Sequence, residues 1–197
     1  MRIAPFLVVV VLASAASGQE PELIPAPYLA PKYVAPQNAP SSVVIAGKNE
    51  QGARLVVTGR TLDGATPVAD VSIYAFHTDV NGLYAAKGID PREAELNPRF
   101  YGAMRTDANG RYRYETIRPG SYSNNATHVH YVVIAPGYKP RMFDLWFQDD
   151  PILAARRAAG QPEVPPVLQG DYLAIRPVTR DATGVWHVTH DLAMLKE

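Results

Sequence analysis

From about Ser41 onward the chain alternates short apolar and polar runs, each broken by Gly, Pro, Asn or Asp. Alternation with a period of two is the mark of a half-buried strand, and Gly, Pro, Asn and Asp mark the turns between strands. The pattern predicts strands at Ser42–Ala46, Ala53–Arg60 and Ala69–Phe76, the last with Val71, Ile73 and Ala75 on one side. Turns follow at Asp79–Gly82 and Asp107–Gly110, and the second joins Phe100–Thr106 to Arg111–Ile117 as a hairpin that Pro119-Gly120 ends. His128–Ala135 and Phe143–Phe147 read as further strands rich in β-branched or aromatic residues. The one short helix expected is Asp150–Ala159, with Asp150 to cap it, Pro151 in its first turn and Gly160 to stop it. A proline-rich loop, Pro162–Pro166, leads to a last expected hairpin, Tyr172–Val178 with Gly184–Leu195. No internal repeat interrupts this order. The expectation is all-β: a single β-sandwich domain of short antiparallel strands over residues 41–197.

The first 40 residues do not follow this pattern. Arg2, the apolar run Phe6–Ala13 and the small residues from Ala13 to Gly18 come in the order of a secretory signal peptide, predicted over residues 1–18. That run is too short to span a bilayer, so the mature protein is expected to be periplasmic or secreted and free of the membrane. Prolines at 21, 25, 27, 31, 36 and 40 predict an arm or linker over residues 19–40. Tyr28, Leu29, Tyr33 and Val34 could dock this arm on its own domain or on a second copy, a route to a homo-oligomer.

Composition narrows the chemistry. The chain has no cysteine, which excludes disulfides, thiolate metal sites and cysteine nucleophiles. Its 19 basic and 19 acidic residues give a formal net charge of zero with no basic run, so no nucleic-acid partner is indicated.

His128-Val129-His130 carries the strongest chemical signal. On a strand, i and i+2 point to the same side, so both imidazoles can reach one metal. An isolated His-x-His is nonetheless more often a pair of ordinary histidines. Tyr122 lies six residues upstream, after the Pro119-Gly120 turn, and Tyr84 follows the turn ending at Gly82. Phenolate is a hard anionic donor and imidazole a borderline one, a set suited to Fe(III) more than to Zn(II).

The run from Phe100 to Tyr122 followed by His128-Val129-His130, the upstream Val71–Tyr84 and the downstream Leu145–Pro151 together resemble the intradiol ring-cleaving dioxygenases. The resemblance covers roughly Ser41 to Leu195 and implies a β-sandwich. It also implies a ferric ion, Fe(3+), held by Tyr84, Tyr122, His128 and His130. The implied activity is that of a non-heme dioxygenase that takes a catechol-type diol and O2. It cleaves the ring between the two hydroxyls to a muconate-type diacid, with Tyr122 giving way to substrate. Two pocket positions depart from the family pattern. Asn125 stands where an arginine is common, three residues before the first histidine, and Asp144 stands where a glutamine is common. The alternative they leave open is a catalytically altered or inactive iron- or catechol-binding sandwich. His77 is expected to pack beside the centre. His187 and His190 are expected on opposite sides of a strand, Asp149-Asp150 in a turn and helix cap, and Arg118 in a surface ion pair.

Overall fold

Alternating runs in this chain pair into two stacked sheets in the computed structural model, which describes residues 23–122, 124–166, 170 and 172–197. The expected signal peptide and the first residues of the arm lie outside the described residues. The strands are β1 (Ser42–Val44), β2 (Arg54–Asp63), β3 (Thr66–Pro67), β4 (Ser72–His77), β5 (Phe100–Arg105), β6 (Arg111–Ile117), β7 (His128–Ile134), β8 (Arg141–Phe147), β9 (Leu173–Arg176), β10 (Thr179–Arg180), β11 (Trp186–Thr189) and β12 (Leu192–Ala193). One sheet runs β1-β6-β2-β11-β10, with β3 and β12 also paired to β2; the other runs β5-β4-β7-β8-β9. The central pairings β2–β6, β4–β5, β4–β7 and β7–β8 are antiparallel, while β1, β9, β11 and β12 add in parallel.

The sandwich core forms where the two inner faces meet. Leu55 and Val57 of β2 meet Ile73 and Ala75 of β4, Val129, Tyr131 and Val133 of β7, and Leu145 and Phe147 of β8. These alternate positions are the apolar ones in the sequence, as a period of two requires. The expected all-β sandwich is what the chain forms. The helix at the predicted place is α2 (Pro151–Ala158), capped by Asp150, whose carboxylate accepts from Ile152 N. The structure adds a shorter helix, α1 (Pro91–Leu96), capped by Asp90.

One prediction needs correction. Tyr172–Val178 and Gly184–Leu195 do not form a hairpin. Leu173–Arg176 instead pairs in parallel with β8 in the second sheet, and only the two-residue β10 turns back on β11. Pro177 stands between β9 and β10 and has no N–H for a ladder. The run is broken there, and the chain crosses from one sheet to the other.

β4 is buried at all six positions and β7 at six of its seven, so both strands are covered on both faces. Segment 23–40 supplies the second cover. It does not stay extended: it turns twice in 3-10 geometry, at Ala26–Leu29 and Pro31–Tyr33, each with proline at the start. Proline's fixed φ is compatible with such turns. Tyr28 and Tyr33 pack on Tyr74 and Phe76 of β4 and Val132 of β7. Ser72 Oγ accepts from Ala35 N at 2.8 Å, and Arg105 Nε donates to Pro36 O at 2.9 Å. The arm lies on its own domain, over the outer face of the sheet that carries the histidines.

Candidate metal centre

The register of the second sheet places the chemistry. With Val129 and Tyr131 facing the core, His128 and His130 must face outward, toward the arm and α2. His130 pairs across with Phe76 on β4 and with Asp144 on β8; His128 pairs with Trp146. Cross-strand partners on one face come within contact distance, and they do so here. The Phe76 and His130 rings lie 4.8 Å apart, and Asp144 Oδ1 accepts from His130 Nδ1 at 2.5 Å. Trp146 lies 6.0 Å from the His128 ring and packs on Leu153 of α2. The second carboxylate oxygen of Asp150 accepts from Thr127 N at 2.8 Å, tying α2 to the start of β7.

The two tyrosines arrive on turns. Gly82 has φ +77, which favours glycine, and a Cβ there would sit 2.4 Å from Ser121 O. A Cβ on Gly120 would sit 2.4 Å from Val80 O. The two turns therefore lie backbone on backbone, joined by Gly120 N donating to Asp79 O at 2.7 Å. That close approach brings Tyr84 and Tyr122 together. Gly120→Ala is expected to force the turns apart, destabilise the fold by about 1–3 kcal/mol and loosen the tyrosine pair. Urea denaturation together with metal-binding titration checks it. An unchanged midpoint would show that the turns tolerate the separation.

Four donor atoms converge. Tyr84 Oη is 2.7 Å from His130 Nε2 and 3.2 Å from Tyr122 Oη; Tyr122 Oη is 3.3 Å from His128 Nε2; and the two Nε2 atoms are 3.1 Å apart. His128 Nδ1 donates to Ala126 O at 2.6 Å, as a carbonyl can only accept. Both Nδ1 atoms are thus engaged behind the ring, and both Nε2 atoms face the common point. This is how metal-ligating histidines are usually held. Two nitrogens and two oxygens around one point favour positive charge there, met either by protons or by a cation. The donor set fits a hard, highly charged metal ion. Among the described residues no group of three or more His, Cys, Asp or Glu could hold a metal, so the phenols are indispensable to any such site.

The electrostatics agree. Burial pushes the Tyr84 phenol far above its usual value, and the adjacent Tyr122 adds to this. Burial also raises Tyr122, with hydrogen bonds from Tyr84 and Asn125 working the other way. Burial, then the neighbouring His130, push His128 down to about 4. For His130 burial opposes protonation, but the Asp144 charge and hydrogen bond outweigh it and its pKa is raised; Asp144 is correspondingly lowered. Without a cation, both phenols stay protonated.

The pocket residues separate. Asp144 sits behind His130, on the side away from the donor atoms, where it orients the ring. Asn125 lies beside Tyr122 on the same turn, its backbone N donating to Tyr122 O at 3.0 Å. His77 is buried and stacks on Phe100, with Nδ1 donating to Thr78 O and Nε2 accepting from Thr116 Oγ1. His187 pairs with Asp181 at the surface while His190 is buried, and Arg118 forms a two-pronged pair with Asp149. A cavity of about 390 Å³ opens beside Tyr84 and Tyr122, with Leu83, Ile89, Ala94 and Glu95 in its lining. A second, of about 280 Å³, reaches His130 and Asp144 and is lined by Leu23 and Pro25 of the arm. The sequence pattern singled out neither Glu95 nor Phe76. The Asp90-Pro91 pair has the same capping form as Asp150-Pro151 and was the available signal for α1.

Comparison with known proteins bears on this geometry. The family described as Dioxygenase matches residues 24–169. The protocatechuate 3,4-dioxygenase beta chain of Burkholderia cepacia is 40% identical over 114 residues, covering 52% of this chain and 48% of its own length. Hydroxyquinol 1,2-dioxygenase of Rhizobium sp. (strain MTP-10005) is 26% identical over 183 residues, covering 79% and 58%. The chain therefore spans about half the length of these curated relatives. Among solved structures, the dioxygenase domain of a dioxygenase carbohydrate-binding protein fusion from Streptomyces sp. SirexAA-E shares the fold. Its TM-score is 0.57 at 22% identity, covering 82% of this chain and 94% of that one.

Proposed function

The chain belongs to the intradiol ring-cleaving dioxygenase family, and on that premise we propose that it is an exported non-heme Fe(III) enzyme that opens catechol-type rings between their hydroxyls with O2. The observation that carries the proposal is the convergence of Tyr84, Tyr122, His128 and His130 on one point, with both imidazoles held from behind. These four residues would hold the ion. When bound, Fe(III) supplies Lewis acidity toward a catechol dianion and a path for electrons between the ring and O2.

The protein's own groups prepare the rest. The cavity beside the two tyrosines is apolar enough at Leu83, Ala85, Ala86 and Ile89 to take an aromatic ring. Tyr122 is less buried than Tyr84; burial favours its neutral phenol, so once ionised on the metal Tyr122 Oη would be a strong acceptor for a substrate proton. Asp144 holds His130 in one tautomer and orientation throughout. Phe76 and the arm cover the outer face of β4 and β7 and keep bulk water from the histidines.

A second reading is favoured by Asn125. It stands where the family often has a cation, beside Tyr122, and supplies no charge there. A protein that binds iron and catechol without turnover would have this arrangement. One set of measurements separates the two. Iron-loaded protein is expected to absorb visible light through its phenolates, shift that band on adding catechol, and consume O2 in proportion to catechol. Colour and a catechol shift without O2 uptake would select the binding protein. Colourless protein after iron loading would sink both.

A further inference from the structure

Helix α1 has six residues, fewer than an isolated helix needs to persist in water. It nonetheless forms part of the wall of the cavity beside Tyr84 and Tyr122, through Ala94 and Glu95 among others. Its N-terminus is secured locally, by Asp90 accepting from Arg92 N and Glu93 N. Its C-terminal half is secured from elsewhere in the chain.

Three side chains of the proline-rich segment meet it. Tyr33 Oη donates to Leu96 O at 2.7 Å. Lys32 Nζ donates to the same carbonyl and to Asn97 Oδ1, each at 2.8 Å. Tyr28 Oη donates to Glu95 Oε1 at 2.7 Å. The carbonyls of a last helical turn have no partners within the helix, so these bonds satisfy groups that α1 cannot satisfy itself. The segment is in turn fixed to β4 by the packing of Tyr28 on Phe76 and of Tyr33 on Tyr74.

We propose that Tyr28, Lys32 and Tyr33 are positioning residues for the catechol cavity: they clamp α1, and through it hold Ala94 and the Glu95 carboxylate beside Tyr84 and Tyr122. This rests on the reading of the cavity as the catechol site. The clamp's hydrogen bonds go to Glu95, Leu96 and Asn97 and none to the four donor residues, so its effect is expected on substrate binding more than on the metal. The segment before β1 is then part of the substrate wall, and cutting it away would remove specificity along with length.

The test is the Lys32→Ala/Tyr33→Phe double variant of the full chain, compared with wild type. Both changes are small, and thermal denaturation establishes that the variant is folded. Amide hydrogen exchange over residues 90–97 is expected to speed up at least about tenfold, because three hydrogen bonds to its C-terminal end are lost, while exchange over 128–134 stays unchanged. In iron-loaded protein the visible band should keep its position, while catechol binds about tenfold more weakly and KM rises more than kcat falls. Lys32→Arg with Tyr33 retained should keep near wild-type exchange and affinity.

Unchanged exchange over 90–97 would overturn the clamp. Faster exchange with unchanged catechol affinity would overturn its role in the cavity. Wild-type protein that takes up iron but shows no catechol shift would overturn the catechol reading instead, and the exchange result would still decide whether the arm holds α1.

Discussion

His130→Ala is expected to remove the metal and the visible band and to leave no measurable ring cleavage. The imidazole supplies one of four donors, and its Nε2 sits 2.7 Å from Tyr84 Oη and 3.1 Å from His128 Nε2. Losing the partner behind a ligand costs about 10- to 100-fold in metal affinity or activity, and losing the ligand itself costs more. The substitution also strands Asp144, which is largely buried and balanced by His130. Removing one member of such a pair costs about 3 kcal/mol of stability, so the variant should melt earlier as well. Asp144→Asn separates the two effects. The amide oxygen can still accept from His130 Nδ1, so the ring keeps its tautomer while the charge is gone. Iron affinity should fall by about 10- to 100-fold, with the fold retained and the phenolate band shifted. Bound iron per chain, denaturation midpoint and visible spectrum check all three points. His130→Ala protein that still binds iron with wild-type affinity would refute the ligand assignment.

Acidification of the metal-free protein is expected to unfold it well above the usual carboxylate range. Buried histidines drive this: His128 of the donor set, held down to about 4, and two outside it. Burial pushes His77 down to about 4, against the Thr78 carbonyl hydrogen bond and together with the nearby His128 and His130. Burial and then Arg176 push His190 down to about 4, with Asp144 opposing. His190 packs on Tyr131, and neither of its ring nitrogens has a hydrogen-bond partner among the described residues. In the unfolded chain all three rings titrate at the ordinary value of 6.5. Above that pH both states are neutral and nothing is gained or lost. As pH falls from 6.5 toward 4, the unfolded state takes up protons that the folded state refuses, so stability drops. Below about 4 the loss levels off. The shift corresponds to about 3 kcal/mol for each histidine, together a large share of a domain's 5–15 kcal/mol. Urea denaturation at pH 7.5, 6 and 5 measures it. His190→Phe should flatten the profile by about a third, since His77 and, in the metal-free protein, His128 are held down to about 4 as well, and a wild-type profile flat from pH 7.5 to 5 would refute the assignment.

Much of the fold was legible from local pattern. The apolar alternation in Val71-Ser72-Ile73-Tyr74-Ala75 and in Val129-His130-Tyr131-Val132-Val133 marks strands and their inner faces, because a pleated strand sends alternate side chains to opposite sides. The Asp150-Pro151 cap marks α2 for an equally local reason. The hairpin expected at the C-terminus was misread because strand partners are chosen by sheets already in place, and Pro177 let the chain change sheets. The proline-rich arm was legible as non-sheet, but the surface it covers was not. Packing of Tyr28 and Tyr33 on β4 depends on residues about forty positions away.

The centre divides along the same line. The amino-acid order alone determined that His128 and His130 share a face and that Tyr84 and Tyr122 follow glycine turns. These are properties of neighbouring residues. Only the tertiary structure decided that the four donors meet, because that requires two turns to lie backbone on backbone at Gly82 and Gly120. It also decided that Asp144 stands behind His130, because register, not sequence distance, makes them cross-strand partners. And it decided that α1 walls the cavity under the grip of Tyr28, Lys32 and Tyr33, because a six-residue helix takes its position from what holds it.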